Sequence, residues 1–544
     1  MLKYKMLTLQ QKRGCMKTLF TNAKIYDGTG EKAFIANVLV EGDKIVAVGD
    51  VNDNEAKVVD LNGYSLASGF IDGHSHNDWF AIKKDNLKYF EPFIRQGITT
   101  FVCGNCGISA TGFGQTEETN LGGGLFNFDD TIGIFGSFSE YMKAIDGKVP
   151  CNIASLVGHC SLRAGVGANA NRELTSEEET KMLSLMESAL KEGAAGLSLG
   201  LMYEPGLYAK TDELKKVASL CEKYDKPLTV HPRANSAVSM AYPQLLGRSH
   251  LLRAVDELVE IAKDTKLKLH YSHAIFVGRK SLKNKSEFLE IIDKLKESGV
   301  DAMFDIYNET VGVSVITVIL PTWYQGMSKE ERNKPLTKLK LSILVKATSL
   351  LLGFGFNDIQ VAYVGEGNEK YEGKTVHQIA KEEGLSDLKA YLMLCEKSNF
   401  KGRVNMGPYT TPEIIHEFER RDDCLYMTDA WIEEKGIQNP SCYNCYPKFL
   451  RDSLLGLGDN LENTVRKMTG AIADRFALAQ RGYVKQGYFA DLTIFDEQEL
   501  KNSMEQQKTF GIKAVYVNGK LVLDGENIQT DVVRNVGKAI RVKN

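Results

Sequence analysis

The sequence predicts an α/β fold with a (β/α)8 TIM-like barrel in the middle of the chain and short strands at both ends. From about residue 67 to about residue 480, apolar strand-like runs alternate with amphipathic helical segments such as 176–192, 253–264 and 285–298. Potential metal ligands follow several of these runs, as catalytic groups do at the C-terminal ends of barrel strands. A chain of 544 residues is long enough for such a barrel and a small second domain.

The two ends of the chain are predicted to form short strands. Residues 18–66 alternate apolar runs with turn signals, and residues 482–523 do the same, with a hairpin predicted at Asn518-Gly519. Residues 1–15 are polar and basic, and we interpret them as a leader or a mis-called start. The long irregular stretch at about 305–350 predicts a lid over the active site.

Composition and net charge limit the binding partners and the cellular compartment that we expect for this chain. A formal net charge of −3 gives no electrostatic case for nucleic-acid or membrane binding. The chain has neither an apolar run of membrane-spanning length nor a signal-peptide core, so we expect a cytoplasmic location. Ten cysteines in so long a chain do not suggest a disulfide framework. The oligomeric state is not predicted.

The most informative motif is His74-Ser75-His76, which ends an apolar run. Alternate residues of a strand face the same side, so the two imidazoles can point at one metal ion. Further candidate ligands end or follow other apolar runs; they are Cys106, His231, His273 and Asp429. Thiolate, imidazole and carboxylate are zinc ligands, and a catalytic zinc keeps one coordination position open for water.

Several blocks together resemble the amidohydrolase superfamily, and within it the N-acyl-D-amino-acid deacylases, or D-aminoacylases. The blocks are GFIDGHSH at 69–76, GNCGIS at 104–109, GLSLGLMYEPG at 196–206, KMTG at 467–470 and GYFADL at 487–492. The resemblance covers the chain from about Met16 onward. It implies a barrel over 67–480 and a small β-sandwich domain formed by residues 16–66 and 481–544.

The resemblance also implies a metal centre. Cys106, His231 and His273 match the family's tight zinc site, while His74 and His76, with Cys106 as a bridge, match a second site that is weak or vacant. One tightly bound zinc is therefore expected.

Two further residues match the family's catalytic groups. Asp429 matches the aspartate that serves the metal-bound water as base and then as acid, and Tyr203 matches a tyrosine near the scissile carbonyl. Zinc supplies hydroxide at neutral pH and polarises a carbonyl, and amide hydrolysis needs a proton moved onto the leaving nitrogen. The expected activity is zinc-dependent hydrolysis of a C–N amide bond in a small-molecule substrate, with hydroxide on the metal attacking the carbonyl.

The chain departs from the family where the substrate carboxylate would bind. Ser441 stands in place of an arginine, Ile275 in place of a lysine and Val313 in place of a serine. Neither serine nor isoleucine can replace a guanidinium as the bidentate partner of a carboxylate. The substrate is therefore expected to differ from an ordinary N-acyl-D-amino acid.

Other residues are candidates for substrate binding or support. Arg233, two residues after His231, could supply a cation from a new direction, and Tyr307 precedes the altered serine position. His159 lies at a strand end where the family often has a histidine, and is expected near the site or as hydrogen-bonded support. His270 is expected to be structural.

Two alternatives from other classes stay open. A cyclic amidase, opening a hydantoin, dihydropyrimidine or lactam-like ring, would suit a neutral substrate, although a cysteine in the bridging role favours linear amides. A non-catalytic binding protein on an amidohydrolase scaffold would have lost ligands, whereas all six metal and base residues are present.

Overall fold

The computed structural model describes residues 17–111, 135–168, 172–239, 241–242, 247–502 and 509–543. Residues 1–15, interpreted above as a leader or a mis-called start, lie outside them. The strands, numbered in chain order, are β1 Lys17–Tyr26, β2 Phe34–Glu41, β3 Lys44–Gly49, β4 Lys57–Asp60, β5 Ser65–Ser68, β6 Phe70–Asp72, β7 Ile98–Cys103, β8 Asn152–Ser155, β9 Val157–Gly158, β10 Leu197–Gly200, β11 Pro227–His231, β12 Lys268–Tyr271, β13 Asp301–Ile306, β14 Gly312–Val315, β15 Ile359–Tyr363, β16 Arg403–Met406, β17 Cys424–Tyr426, β18 Leu492–Phe495, β19 Ile512–Val517, β20 Lys520–Asp524, β21 Asn527–Ile528 and β22 Ala539–Ile540.

The described residues form a parallel barrel of eight strands. One hydrogen-bonded series runs β6-β7-β8, and a second runs β9-β10-β11-β12-β13-β17. The two series join at Leu156, where one barrel strand is interrupted and divided into β8 and β9. Side-chain and backbone contacts close the ring between β17 and β6. The Asp72 carboxylate accepts hydrogen bonds from the amide (3.0 Å) and hydroxyl (2.6 Å) of Thr428, and the Asp429 amide donates to the His74 carbonyl at 3.1 Å.

The two ends of the chain meet in one small β-domain, as predicted. Its nine described strands form a single hydrogen-bonded sheet in the order β21-β20-β19-β18-β5-β1-β2-β3, with β4 beside β1. A separate apolar core, which includes Phe20, Leu66 and Ile494, lies within this domain. The predicted hairpin at Asn518 and Gly519 joins β19 to β20, and both residues have the positive φ (47° and 75°) that a type I′ turn requires.

The last residues of the chain return to the barrel, which corrects the assignment of residues 481–544 as a whole to the β-sandwich. Strand β22 pairs in parallel with β8, and the Val542 amide donates to the Gly193 carbonyl at 2.9 Å. The strand is broken at Leu156, so that β9 pairs with β10 whereas β8 does not. The edge of β8 that faces away from β7 is therefore free to pair with β22.

The inserted segment between β13 and β17 is longer than the predicted lid at 305–350. It contains an antiparallel sheet in the order β14-β16-β15, so it extends at least to Met406. The local sequence pattern does not show that β14 pairs with a strand about 90 residues further along the chain.

Helices follow most barrel strands, and the three predicted helices are present as Ser176–Lys191, His250–Ala262 and Lys285–Glu297. No helix among the described residues is long and apolar enough to cross a membrane. The nine cysteines in the described ranges are all free and buried. The helices are α1 Asp78–Ala81, α2 Leu87–Ile94, α3 Phe138–Ile145, α4 His159–Gly165, α5 Ser176–Lys191, α6 Thr211–Lys223, α7 His250–Ala262, α8 Lys285–Glu297, α9 Thr322–Gln325, α10 Lys329–Asn333, α11 Pro335–Leu352, α12 Val376–Glu382, α13 Asp387–Lys397, α14 Pro412–Glu419, α15 Ser441–Leu454, α16 Leu461–Met468, α17 Gly470–Arg475, α18 Glu497–Asn502 and α19 Thr530–Val533.

Candidate metal centre and active site

The predicted ligands meet at the C-terminal mouth of the barrel. His231 ends β11, and the others follow the last residues of β6, β7, β12 and β17 within four positions; they are His74, His76, Cys106, His273 and Asp429. Because neighbouring parallel strands end at the same edge, residues far apart in sequence become neighbours in space.

Three of these residues have a left-handed backbone. Cys106 (φ 53°), His273 (φ 39°) and Asp429 (φ 46°) all lie in the region that non-glycine residues rarely adopt. Each such conformation costs on the order of 1–3 kcal/mol and persists only where the surrounding structure enforces it. The surrounding structure therefore enforces these three backbone conformations, which set the directions of the three side chains.

The ligand atoms fall into two groups that share Cys106. One group is Cys106, His231 and His273, and the other is His74, His76, Cys106 and Asp429; within each group the atoms lie within 4.8 Å of one another. The Cys106 Sγ lies 3.2 Å from His74 Nε2 and 3.6 Å from His273 Nε2.

The residues of the first group fit a metal ion. Cys106, His231 and His273 are all buried, and the Nδ1 atoms of both histidines make no hydrogen bond within the described residues. Buried polar atoms without a partner are rare in native proteins and call for an explanation such as an ion. One thiolate and two imidazoles are a donor set that zinc accepts.

The charges around the second group keep Asp429 ionised. Burial alone would raise the pKa of the Asp429 carboxyl, but His74, His76 and His273 together hold it below its ordinary value. The Asp429 Oδ1 lies 3.5 Å from His74 Nε2 and 3.4 Å from His76 Nε2. Burial has the larger effect on the Cys106 thiol and raises its pKa to about 11, because the neighbouring His74 offsets only part of the effect of burial. A bound cation would favour the thiolate.

Asp305, to which the sequence analysis gave no role, links the two groups. Its Oδ2 accepts hydrogen bonds from His74 Nδ1 at 3.2 Å and His270 Nε2 at 2.9 Å, and its Oδ1 accepts from the His273 amide. Burial opposes its charge, yet His74 and His270 hold the pKa of Asp305 well below its usual range. The sequence does contain a signal for this role: Asp305 is an acidic residue near the end of the largely apolar strand β13. A carboxylate buried in such a strand must be paired with hydrogen-bond donors or positive charges.

Three tyrosines lie near Asp429. The Tyr203 ring is 4.6 Å from that of His231, centroid to centroid. Burial and then nearby charges, that of Asp429 among them, raise the phenol pKa of Tyr203, Tyr307 and Tyr409, so all three stay protonated at neutral pH. The sequence analysis missed Tyr409, which comes from the inserted segment and has no local motif.

Three positions that the resemblance associates with binding of a substrate carboxylate carry uncharged side chains here. Ser441 and Ile275 are buried, and the Ser441 hydroxyl makes no hydrogen bond within the described residues. Val313 lies on β14 opposite Asn405. None of these three side chains carries a positive charge.

Arg233 does not take over the role of the anchor in this structure. Its guanidinium donates to Glu257 Oε2 at 2.7 Å, to the Leu207 carbonyl at 2.8 Å and to the Ala209 carbonyl. His159 is likewise engaged elsewhere, with its Nε2 2.7 Å from Glu213 Oε1. Among the described residues, His159 belongs to none of the clusters of possible metal ligands.

A further polar cluster lies beneath the inserted segment. Asn308 Nδ2 donates to Glu419 Oε1 at 3.2 Å and to Asp452 Oδ2 at 2.7 Å, and His416 Nε2 lies 3.4 Å from the latter oxygen. Burial and the neighbouring Asp452 raise the pKa of Glu419 to about 9. Glu419 is thus protonated at neutral pH, which removes one of two adjacent buried charges.

Comparison with known proteins identifies the domain that carries these residues. The model of the amidohydrolase family matches residues 66–317. The chain carries an amidohydrolase domain. The chain is 27% identical to D-aminoacylase of Alcaligenes xylosoxydans xylosoxydans over 518 residues, covering 92% of this chain and 93% of that protein. It is 26% identical to N-acyl-D-aspartate deacylase of the same organism over 532 residues, covering 93% and 92%.

Solved structures extend the comparison to the whole fold. A structure of D-aminoacylase, from work on its binuclear metal centre, matches with a TM-score of 0.76 and 25% identity, covering 96% of this chain and 99% of that one. The predictions of an amidohydrolase related to the D-aminoacylases, and of a barrel with a small second domain, are confirmed.

Proposed function

We propose that this amidohydrolase uses one zinc ion, held by Cys106, His231 and His273, to hydrolyse the C–N bond of a small-molecule amide. The observation that supports this most directly is the pair of ligand groups that share Cys106 at the barrel mouth, the second of which includes Asp429 beside His76. When bound, zinc acts as a Lewis acid that makes hydroxide available at neutral pH.

The residues of the chain supply the remaining steps. Asp429, ionised beside His74 and His76, accepts the proton of the attacking water and returns it to the leaving nitrogen. Tyr203, protonated beside the ring of His231, is placed to donate a hydrogen bond to the developing oxyanion. One such preorganised donor contributes roughly 3 kcal/mol.

We further infer that the substrate lacks a free α-carboxylate. The anchor positions hold Ser441, Ile275 and Val313, and Arg233 is committed to Glu257. Lys448, in helix α15 with Ser441, is paired with Glu309. An uncompensated carboxylate in this site would lose several kcal/mol of binding.

The test is a comparison of kcat/KM for an N-acetyl-D-amino acid and its carboxamide, with cyclic amides in the same panel and zinc content measured in parallel. The carboxamide is expected to be preferred by at least about 100-fold, since each 1.36 kcal/mol is about tenfold in rate. A preference for the free acid would refute the substrate inference. A metal-loaded protein that turns over no linear amide would refute the reaction.

A further inference from the structure

Helix α11, Pro335–Leu352, presents an apolar face to solvent. Leu336 is 77% exposed, Leu339 58%, Ile343 62% and Leu350 64%, although each is a large aliphatic residue. At 3.6 residues per turn, these four side chains fall within an arc of about 60°. They form one stripe, which we call the α11 stripe.

The opposite side of the helix explains how α11 is held. Leu341 and Val345 are buried, and both point away from the α11 stripe on the helical wheel. The helix is therefore docked by one face and leaves a second apolar face uncovered by the described residues. Single exposed leucines are common on protein surfaces, but an ordered stripe of four marks an interaction surface.

Two lysines flank the stripe. Helix α11 contains Lys338, Lys340 and Lys346 and no acidic residue, and Lys334 precedes it. On the helical wheel Lys340 and Lys346 lie on opposite edges of the stripe, whereas Lys338 lies on the side of the buried Val345. In the described part of the chain, no ion pair involves these four lysines, and Lys340 lies over the Trp323 ring at 4.3 Å.

We propose that the α11 stripe binds the surface of an anionic lipid bilayer. An amphipathic helix with aliphatic residues on one face and lysines at its edges lies in the membrane interface and is attracted to anionic headgroups. The net charge of −3 for the whole chain hides this local distribution. The inference is independent of the reaction proposed above.

A second copy of the chain fits the stripe less well. A helix of 18 residues is about 27 Å long and offers a face of roughly 270 Å², whereas a stable dimer buries about 800 Å² on each partner. Pairing two α11 stripes would also bring their lysines together without an acid to compensate them.

The test is co-sedimentation of the full chain with phosphatidylcholine vesicles, with and without 30 mol% phosphatidylserine, in low and high salt. We expect binding at least fivefold stronger to the phosphatidylserine vesicles at low salt, and a loss of at least tenfold in Leu339→Gln/Ile343→Gln. Lys340→Gln/Lys346→Gln should bind more weakly and lose most of its salt dependence. The matched control is Leu455→Gln/Leu457→Gln, which changes two exposed leucines elsewhere and should bind like wild type.

Circular dichroism melting shows whether each variant is folded. Equal binding to both kinds of vesicle, no binding at all, or wild-type binding by the folded Leu339→Gln/Ile343→Gln variant would overturn the proposal. Light scattering measures whether two copies of the chain associate through the stripe. A wild-type dimer that Leu339→Gln/Ile343→Gln converts to a monomer would show that the stripe is a contact between copies, and would overturn the proposal.

Discussion

Replacing Asp305 with asparagine is expected to weaken zinc binding 10- to 100-fold while leaving the protein folded. The Asp305 carboxylate accepts three hydrogen bonds, from the rings of His74 and His270 and from the backbone of His273. Asparagine has one acceptor oxygen and an NH2 group that can only donate. Whichever way the amide is turned, its NH2 group would face either the backbone N–H of His273 or the two imidazole N–H groups, so the orientation of His273 or of His74 would no longer be fixed.

The expected magnitude follows from the bonds that are lost. A hydrogen bond to a charged group contributes about 1.5–3 kcal/mol, and a 10- to 100-fold change in affinity corresponds to about 1.4–2.7 kcal/mol. Carboxylates that orient metal-binding histidines have effects of this size when they are mutated. Global stability should fall as well, because a buried, hydrogen-bonded charge is removed.

The assay is zinc competition against a chromogenic chelator, with thermal unfolding measured on the same samples. Asp423→Asn is the matched control, since Asp423 is equally buried and pairs with Lys296 and Arg421 away from the metal centre. The control should lose stability and keep its zinc affinity. A folded Asp305→Asn protein that binds zinc within threefold of wild type would show that Asp305 does not position the ligands.

Three further predictions concern single side chains. Cys106→Ala should lose both zinc and turnover, because a methyl group cannot replace a thiolate ligand; full zinc occupancy by mass spectrometry would contradict the assignment. Asp429→Asn should keep zinc and lose about 10²- to 10⁴-fold in kcat, and activity within a few-fold of wild type would point to another proton carrier. Glu419→Gln should become progressively more stable relative to wild type between pH 5 and pH 8.5 in urea unfolding. The pKa of Glu419 is about 9 when folded against 4.5 as its ordinary value, so the native state binds more protons in this window and wild-type stability falls as pH rises, by up to about 1.4 kcal/mol per pH unit. A constant difference between the two proteins would refute the raised pKa.

The sequence predicted those parts of the fold that have local signals. Apolar runs followed by His74, Cys106 or Asp429 are visible without any knowledge of packing, and strand ends of a barrel converge whatever their distance in sequence. The hairpin at Asn518-Gly519 is equally local, because the turn type depends on two residues.

Features that depend on distant pairing could not be predicted in the same way. The inserted segment continues to Met406 because β14 finds its partner in β16, and β22 joins the barrel because Leu156 interrupts the third strand. Asp305 was recognisable as a buried acid, but its partner His74 follows β6 and its partner His270 lies on β12, and they become neighbours only when the barrel forms.

The contrast between the metal centre and the substrate anchor has a structural basis. The metal ligands depend on strand ends that closure of the barrel fixes, and Asp72 and Asp305 tie these ends together. The anchor positions lie on less constrained elements: Ile275 in a loop, Val313 in the inserted sheet and Ser441 at the start of α15. Such elements can change while the reaction centre is retained. Ser441 carries no charge, and the Arg233 guanidinium is already held by Glu257 and two carbonyls. The proposed change of substrate rests on these two observations, because a substrate carboxylate needs a cation that is free to pair with it.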